Sequence, residues 1–385
     1  MRGLITSILS VVLLTGIVTP VALAEESSIN LAPDASSAIL IERDTGTVLF
    51  EKNSQEKLPP ASMTKIMTML LIMEALDKGQ IKLDEKVRTS ERAASMGGSQ
   101  IFLEPGEEMT VAELLKAIAV ASGNDASVAM AEHIAGSEEA FVEMMNEKAK
   151  ELGAEQTNFI NSNGLPAENH YTTAEDLALI SKELLKYEDI TNYTGIYEDY
   201  LRENTDDEFW LVNTNKLVKF YPGVDGLKTG YTREAQYCLT ATAEKNGMRV
   251  ISVVMGASSP KERNKQITEM LDYAFSQYTT HNLYERNHVI DEVKISKGHK
   301  GKVEAVTSGS VSILTKKGAS VEDATEKVVL EEGLQAPIKK GDQVGTLIIE
   351  QGGSVLSETK LVAKEDINDA SWWLLFKRTL GKFAG

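Results

Sequence analysis

Ser62-Met63-Thr64-Lys65 sets a hydroxyl and an amine three residues apart, directly after Pro59-Pro60-Ala61. On a helix, positions i and i+3 share a face, so this spacing lets the amine take the hydroxyl's proton as the oxygen attacks an electrophile. A place at the helix start adds the positive end of the backbone dipole beneath a developing negative charge. Other Ser-x-x-Lys quartets exist, among them two in different settings. Ser54-Gln55-Glu56-Lys57 lies in a polar loop and Ser357-Glu358-Thr359-Lys360 trails a strand pattern, so neither is presented by an apolar-backed helix start. Ser122-Gly123-Asn124, between two helical patterns, offers a second hydroxyl and an amide in a short turn; a helix cap would use the same residues. Lys228-Thr229-Gly230 follows Gly223-Val224-Asp225-Gly226-Leu227 and opens a strand region continued by Tyr231-Thr232. Lys65 can accept a proton only as a neutral amine. Desolvation and a second cation at Lys228 would both push its pKa down.

The elements that must position these groups are legible in outline. Residues 37–52 read as a hairpin, with Ala38 to Arg43 and Thr47 to Phe50 flanking Asp44-Thr45-Gly46. Helical periodicity covers Met63 to Leu76, Thr110 to Ala121, Ala126 to Ala135, Glu138 to Leu152 and Thr173 to Tyr187. Tyr237 to Ala243 and Arg249 to Gly256 are strand-like, and Pro260 begins a helix to about Tyr278. Strands at both sequence ends with helices between them predict an α+β unit, one antiparallel sheet covered by helices. From Val289 to Val362 short alternating strands separated by Gly, Lys and Asp turns predict a small sandwich-like or barrel-like β-domain. Nothing in that segment reads as catalytic. The expected divisions are therefore 25–280, 281–363 and a terminal stretch, 364–385.

Composition narrows the chemistry. The chain has 385 residues, 42% hydrophobic and 25% charged, which suits two globular units. Its 40 Lys+Arg against 57 Asp+Glu give −17, the wrong sign for a phosphate-binding face, so no nucleic acid is expected as partner. A single cysteine, Cys238, excludes internal disulfides and reads as a small buried hydrophobe. Five histidines without HExxH or helical ligand spacing predict no metal site. Glu168 does not sit in the pattern of a deacylating base, and His170 reads as a loop residue.

The two termini carry targeting signals. Arg2, the apolar run from Leu4 to Val18, Pro20 and Ala22-Leu23-Ala24 form a secretory signal peptide over residues 1–24, so export is expected. At the other end Trp372, Trp373, Phe376, Leu380 and Phe383 fall on one helical face, with Lys377, Arg378 and Lys382 on the opposite one. That arrangement suits a helix lying in an anionic bilayer surface, too short to span it. The expected location is peripheral, on the outer face of the cytoplasmic membrane.

In the order Ser-x-x-Lys, Ser-x-Asn, Lys-Thr-Gly, the three elements form the signature set of penicillin-interacting serine enzymes. The chain resembles the low-molecular-mass penicillin-binding proteins, serine-type D-alanyl-D-alanine carboxypeptidases of the peptidase S11 family, over nearly all its mature length. It looks most like Bacillus members, including a sporulation-associated one. The resemblance implies a transpeptidase/β-lactamase-like catalytic domain, the trailing β-domain and the amphipathic anchor, with no cofactor. It implies that Ser62 is acylated, that Lys65 is its general base, and that Ser122 relays a proton to the leaving D-alanine. Asn124 would bind a substrate amide; Lys228, Thr229 and Thr232, with Arg263 from the helix after Pro260, would hold the terminal carboxylate. The N–H groups of Ser62 and Tyr231, the latter following Gly230 where some relatives carry His, would make the oxyanion hole. The expected substrate is the peptidoglycan stem pentapeptide, cleaved at D-Ala-D-Ala so that wall cross-linking is limited, and β-lactams would acylate Ser62. Because protein and substrate are both anionic, Lys228 and Arg263 would have to act locally, within a Debye length of ~8 Å. The same elements could serve a β-lactamase, a transpeptidase, or a wall-binding scaffold that had lost one of them.

Overall fold

Strand-forming runs from residues 37–52 and 224–257 meet in one five-stranded antiparallel sheet in the computed structural model, which describes residues 29–383. The signal segment expected over residues 1–24 lies outside the described residues. Across the sheet the strands run Val48–Lys52, Ser37–Glu42, Met248–Ala257, Gln236–Lys245 and Val224–Thr232. Alternate residues of each strand point to opposite faces, and both faces are buried. Ile39, Ile41, Ile251, Val253 and Met255 enter one core, and Ala38, Leu40, Val250, Leu239, Ala241 and Ala243 the other. That explains why these strands read as apolar runs. Helix Pro260–Gln277, capped by Ser259 with Pro260 in its first turn, covers the second face through Ile267, Met270, Leu271 and Ala274.

The helical layer on the first face surrounds helix Lys65–Asp77, whose residues from Lys65 to Ala75 are all buried. A helix enclosed on all sides needs an apolar surface all round, and Ile66, Met67, Met69, Leu70, Leu71, Ile72 and Met73 provide it. Each such side chain contributes about 1.5–3 kcal/mol by leaving water. Lys65, Thr68 and Glu74 are the buried polar residues on this helix, and Lys65 stands at its first residue, next to the short 3₁₀ turn Ala61–Thr64. The helix expected over Thr110 to Ala121 is α-helical only from Val111 to Lys116; Ala117–Ala121 widens into a π turn that delivers Ser122 in the left-handed region.

Two small hairpins were not legible in the sequence: Lys86–Arg88 with Glu108–Thr110, and Glu198–Leu201 with Phe209–Val212. Strands of three or four residues are too short to display alternation. Lys-Thr-Gly also falls inside strand Val224–Thr232 rather than opening it, because the Gly-rich lead-in Val224-Asp225-Gly226 already pairs with Gln236–Lys245.

Beyond residue 277 the chain enters a second core. Strands Val289–Lys294, Lys302–Thr307, Ser354–Ala363, Gln343–Gln351 and Thr325–Leu330 form a five-stranded sheet, while Tyr278–Tyr284 pairs with Val311–Lys316. Val293, Val303, Ile313, Leu347, Ile349 and Leu361 fill the space between them. The terminal helix Trp372–Phe383 is fastened by its cation: Arg378 donates to the carbonyls of Gly298 and His299 at 2.7 and 3.0 Å. Trp372, Trp373 and Phe376 stack on one another and stay exposed. Lys377 departs from the expected opposite face, lying over the Trp373 ring four residues earlier, 5.4 Å from its centroid. Among the described residues no helix is long and apolar enough to cross a membrane.

Candidate active site

Three elements converge on Ser62. The turn Ala61–Thr64 carries the hydroxyl, and the first residue of the buried helix places Lys65 Nζ 3.3 Å from Ser62 Oγ. The link from the π turn to helix Asn124–Ala135 supplies Ser122 and Asn124. Edge strand Val224–Thr232 supplies Lys228 and Thr229. Gly230 is what lets that strand approach. A Cβ there would stand 2.8 Å from the Pro60 carbonyl oxygen and 3.2 Å from the Ala61 Cβ, so only glycine admits the contact.

Lys65 is fully buried and donates to Asn124 Oδ1 at 2.6 Å and to the Asn163 carbonyl at 2.5 Å. Burial, reinforced by the charge of Lys228 and opposed by Asp125, holds its pKa well below the ordinary lysine value. Lys228 is buried too, and burial together with Arg263 brings it to about 7. Arg263 is buried in the first turn of helix Pro260–Gln277, its guanidinium on Asn264 Oδ1 at 2.9 and 3.0 Å, and burial lowers it to about 10. Thus Lys65, Lys228 and Arg263 form a desolvated cationic group that lowers the cost of neutralising its innermost member. A carboxylate entering it would meet unscreened positive charge. Ser122 Oγ is buried without a hydrogen-bond partner among the described residues, a polar group of the kind an incoming substrate satisfies.

Other placements refine the sequence reading. The Asn124 side chain is engaged at both ends, accepting from Lys65 and donating to Gly97 O at 2.7 Å, so it fixes the Lys65 amine as well as lining the site. Thr229 Oγ1 donates to Thr214 Oγ1 at 2.7 Å, a partner not singled out from the sequence. Thr232 accepts from Ala235 N at the hairpin end, and Tyr231 is exposed, stacked on Tyr237 with centroids 4.5 Å apart. Cys238 is fully buried and burial raises its thiol to about 11. Glu168 is exposed. His170 lies in a loop but is buried, with Nε2 2.8 Å from Thr64 Oγ1 and Nδ1 accepting from Ile160 N at 3.1 Å. Burial lowers it to about 4. The spare quartet at Ser54 is spent on local bonds, its hydroxyl on Glu51 and Lys57 over the Tyr171 ring. Among the described residues no group of three or more His, Cys, Asp or Glu gathers as metal ligands.

A serine hydroxyl bonded to a buried lysine of lowered pKa, facing two further cations on an edge strand and a helix start, defines a serine acyl-transfer enzyme built for an anionic acyl donor. A family model described as D-alanyl-D-alanine carboxypeptidase matches residues 24–259, and the chain belongs to that family. A second model, the C-terminal domain of penicillin-binding protein 5, matches residues 278–369. D-alanyl-D-alanine carboxypeptidase DacF of Bacillus subtilis is 61% identical over 383 residues, covering 99% of this chain and 98% of that one. DacC of Escherichia coli is 34% identical, covering 92% and 90%. Penicillin-binding protein 5 from Haemophilus influenzae superposes with TM-score 0.66 at 30% identity, covering 87% of this chain and 98% of that one. Penicillin-binding protein D2 from Listeria monocytogenes, in its ampicillin-bound form, superposes with TM-score 0.58 at 31% identity, covering 64% and 100%.

Proposed function

We propose that this chain releases the terminal D-alanine of peptidoglycan stem pentapeptides through an acyl-enzyme on Ser62. The observation that carries the reading is Lys65, buried, its pKa lowered by burial and by Lys228, and its Nζ 3.3 Å from the Ser62 hydroxyl. The terminal carboxylate binds Lys228, Thr229 and Arg263, with Thr232 at the strand end, and the peptide lies along the edge strand, which has no further strand beside it among the described residues. Ser62 Oγ attacks the penultimate carbonyl carbon while its proton passes to Lys65 Nζ. The N–H groups of Ser62 and Tyr231 receive the oxyanion. As the intermediate collapses the C–N bond breaks, and the proton returns through Ser122 to the departing amine. Water then attacks the ester carbonyl, giving a proton to Lys65; the C–Oγ bond breaks, and that proton passes from Lys65 to Ser62 Oγ, freeing the serine and neutral lysine.

The same attack on a β-lactam carbonyl opens the ring and leaves the drug on Ser62, a reading supported by the ampicillin- and cefotaxime-bound relatives from Listeria monocytogenes. The exposure of Glu168 argues for slow rather than rapid release of that adduct. The proposal includes export through residues 1–24 and attachment to the outer membrane face by helix Trp372–Phe383. The exposed Trp372, Trp373 and Phe376 support that attachment. It also includes a role in sporulation, supported by the likeness to Bacillus relatives alone.

The test is D-alanine release from a peptide ending in D-Ala-D-Ala, beside labelling with a fluorescent penicillin, for the wild type and Ser62→Ala. Both signals should vanish in the variant. Undiminished labelling of Ser62→Ala would refute the assignment of the nucleophile.

A further inference from the structure

The Thr64 hydroxyl owns one proton, and it goes to the Ala61 carbonyl, 2.8 Å away. Toward His170 the Thr64 oxygen therefore accepts, so the 2.8 Å contact is an Nε2–H donation. The other ring nitrogen agrees, because Nδ1 accepts from the Ile160 N–H and must be bare. The result is a directed chain: Ile160 N–H to His170, His170 N–H to Thr64, Thr64 O–H to Ala61 C=O. The low pKa that burial gives His170 is consistent with that neutral ring. Phe159 packs edge-on against the imidazole and fixes its plane.

The end of the chain matters because a peptide unit is planar. The Ala61 C=O and the Ser62 N–H belong to one rigid plate and point in opposite directions. Whatever holds the carbonyl also aims the N–H. The backbone of the 3₁₀ turn offers this carbonyl the Thr64 N–H, while the Lys65 N–H bonds to the carbonyls of Ser62 and Met63 instead, so the Thr64 hydroxyl is the side-chain bond that fixes it. Ala61 itself sits at φ +48°, an unfavourable region for a residue with a Cβ, and such conformations persist only where neighbours over-determine them. Gly164, in the loop that also carries Ile160 and His170, closes on the same carbonyl so tightly that any Cβ there would overlap it.

We propose that His170 is a positioning residue for the oxyanion hole, fixing the direction of the Ser62 N–H through Thr64 and the Ala61–Ser62 peptide plane. The proposal rests on Ser62 being the nucleophile. Hydrogen bonding to the carbonyl also polarises the shared amide, making its N–H a better donor. Because the oxyanion exists only in the transition state and intermediate, the effect belongs to kcat and acylation rate rather than to ground-state binding.

Two substitutions in the full-length protein separate this from a merely structural role. In His170→Asn the side-chain oxygen stands where Nδ1 accepts from Ile160, but nothing reaches Thr64. In His170→Gln the terminal amide reaches the position of Nε2 and can donate to Thr64. His170→Asn should lower kcat for D-alanine release and the acylation rate by a fluorescent penicillin by about 10- to 100-fold, less than loss of a whole oxyanion donor. KM should stay within about threefold, and His170→Gln should recover most of the loss. Thr64→Val, which keeps the shape and His170, should reproduce the defect, and the pair Thr64→Val/His170→Asn should be no worse than either alone. The infrared carbonyl stretch of the penicilloyl ester should move to higher frequency in His170→Asn and return in His170→Gln. Equal losses for Asn and Gln, a loss confined to KM, or an unmoved carbonyl stretch would overturn the proposal. Should His170→Asn not fold, Thr64→Val decides the matter by the same rate and infrared readouts. Labelling that survives in Ser62→Ala would instead strike the nucleophile assignment on which the proposal rests.

Discussion

Asn124 shows how narrowly the proton balance at Lys65 is set. Its Oδ1 lies 2.6 Å from Lys65 Nζ and offers a dipole where a carboxylate would fit equally well. Asn124→Asp would put a full negative charge there and raise the Lys65 pKa. The neutral amine would become scarcer, so acylation at pH 7 should drop, by about tenfold or more for an ion pair this close. The sign is testable because the deficit should shrink as pH is raised and Lys65 gives up its proton. A deficit of constant size across the profile would point to the lost Gly97 bond instead. At this scale the sequence was informative about the residues proposed to react and silent about those that hold them. Ser62 with Lys65, and Lys228 with Thr229, are neighbours along the chain, so their spacing is visible in the letters. The Asn163 carbonyl, Thr214 and His170 reach their partners across 98, 15 and 106 residues, and a carbonyl has no letter of its own.

Elements are positioned by what their surfaces exclude. The strand bearing Lys228 abuts the turn bearing Ser62 only because Gly230 has no side chain. Gly230→Ala would force the two apart against the Pro60 backbone, which cannot swing aside as a long side chain can. A cost of about 1–3 kcal/mol in stability is expected, as for other overpacked sites, with penicillin labelling slowed by at least about tenfold, the rate equivalent of 1.4 kcal/mol. Thermal denaturation and labelling kinetics together check it; an unaffected rate would show that strand and turn meet with slack. The main helices and strands Ser37–Glu42, Gln236–Lys245 and Met248–Ala257 were readable because each buries an unbroken or periodic apolar surface. The π turn at Ala117–Ala121 was not, since its five residues Ala-Ile-Ala-Val-Ala continue the helical pattern without a break. The widening shows only in the backbone, through the left-handed Ser122 that follows.

For the molecule as a whole, the fastening of the last helix decides which surface it presents. Arg378 turns inward to two carbonyls of the β-domain, which leaves Trp372, Trp373 and Phe376 turned outward. Replacing those three by Ser should reduce partition of the full-length protein onto phosphatidylglycerol vesicles by at least about tenfold, since each buried aromatic is worth about 1.5–3 kcal/mol. D-alanine release from a short soluble peptide should not change. Retained vesicle binding would move the attachment to another surface.

The enclosure of helix Lys65–Asp77 bears on how such an enzyme can evade an inhibitor. Lys65, the proposed base, is the first residue of a rod with no solvent face as far as Ala75, where almost every substitution leaves a void or an overlap. Selection for slower reaction with a drug therefore has little room to work from within. Escape should be sought among exposed residues at the mouth, with Tyr231 foremost, where shape can drift without unseating the core.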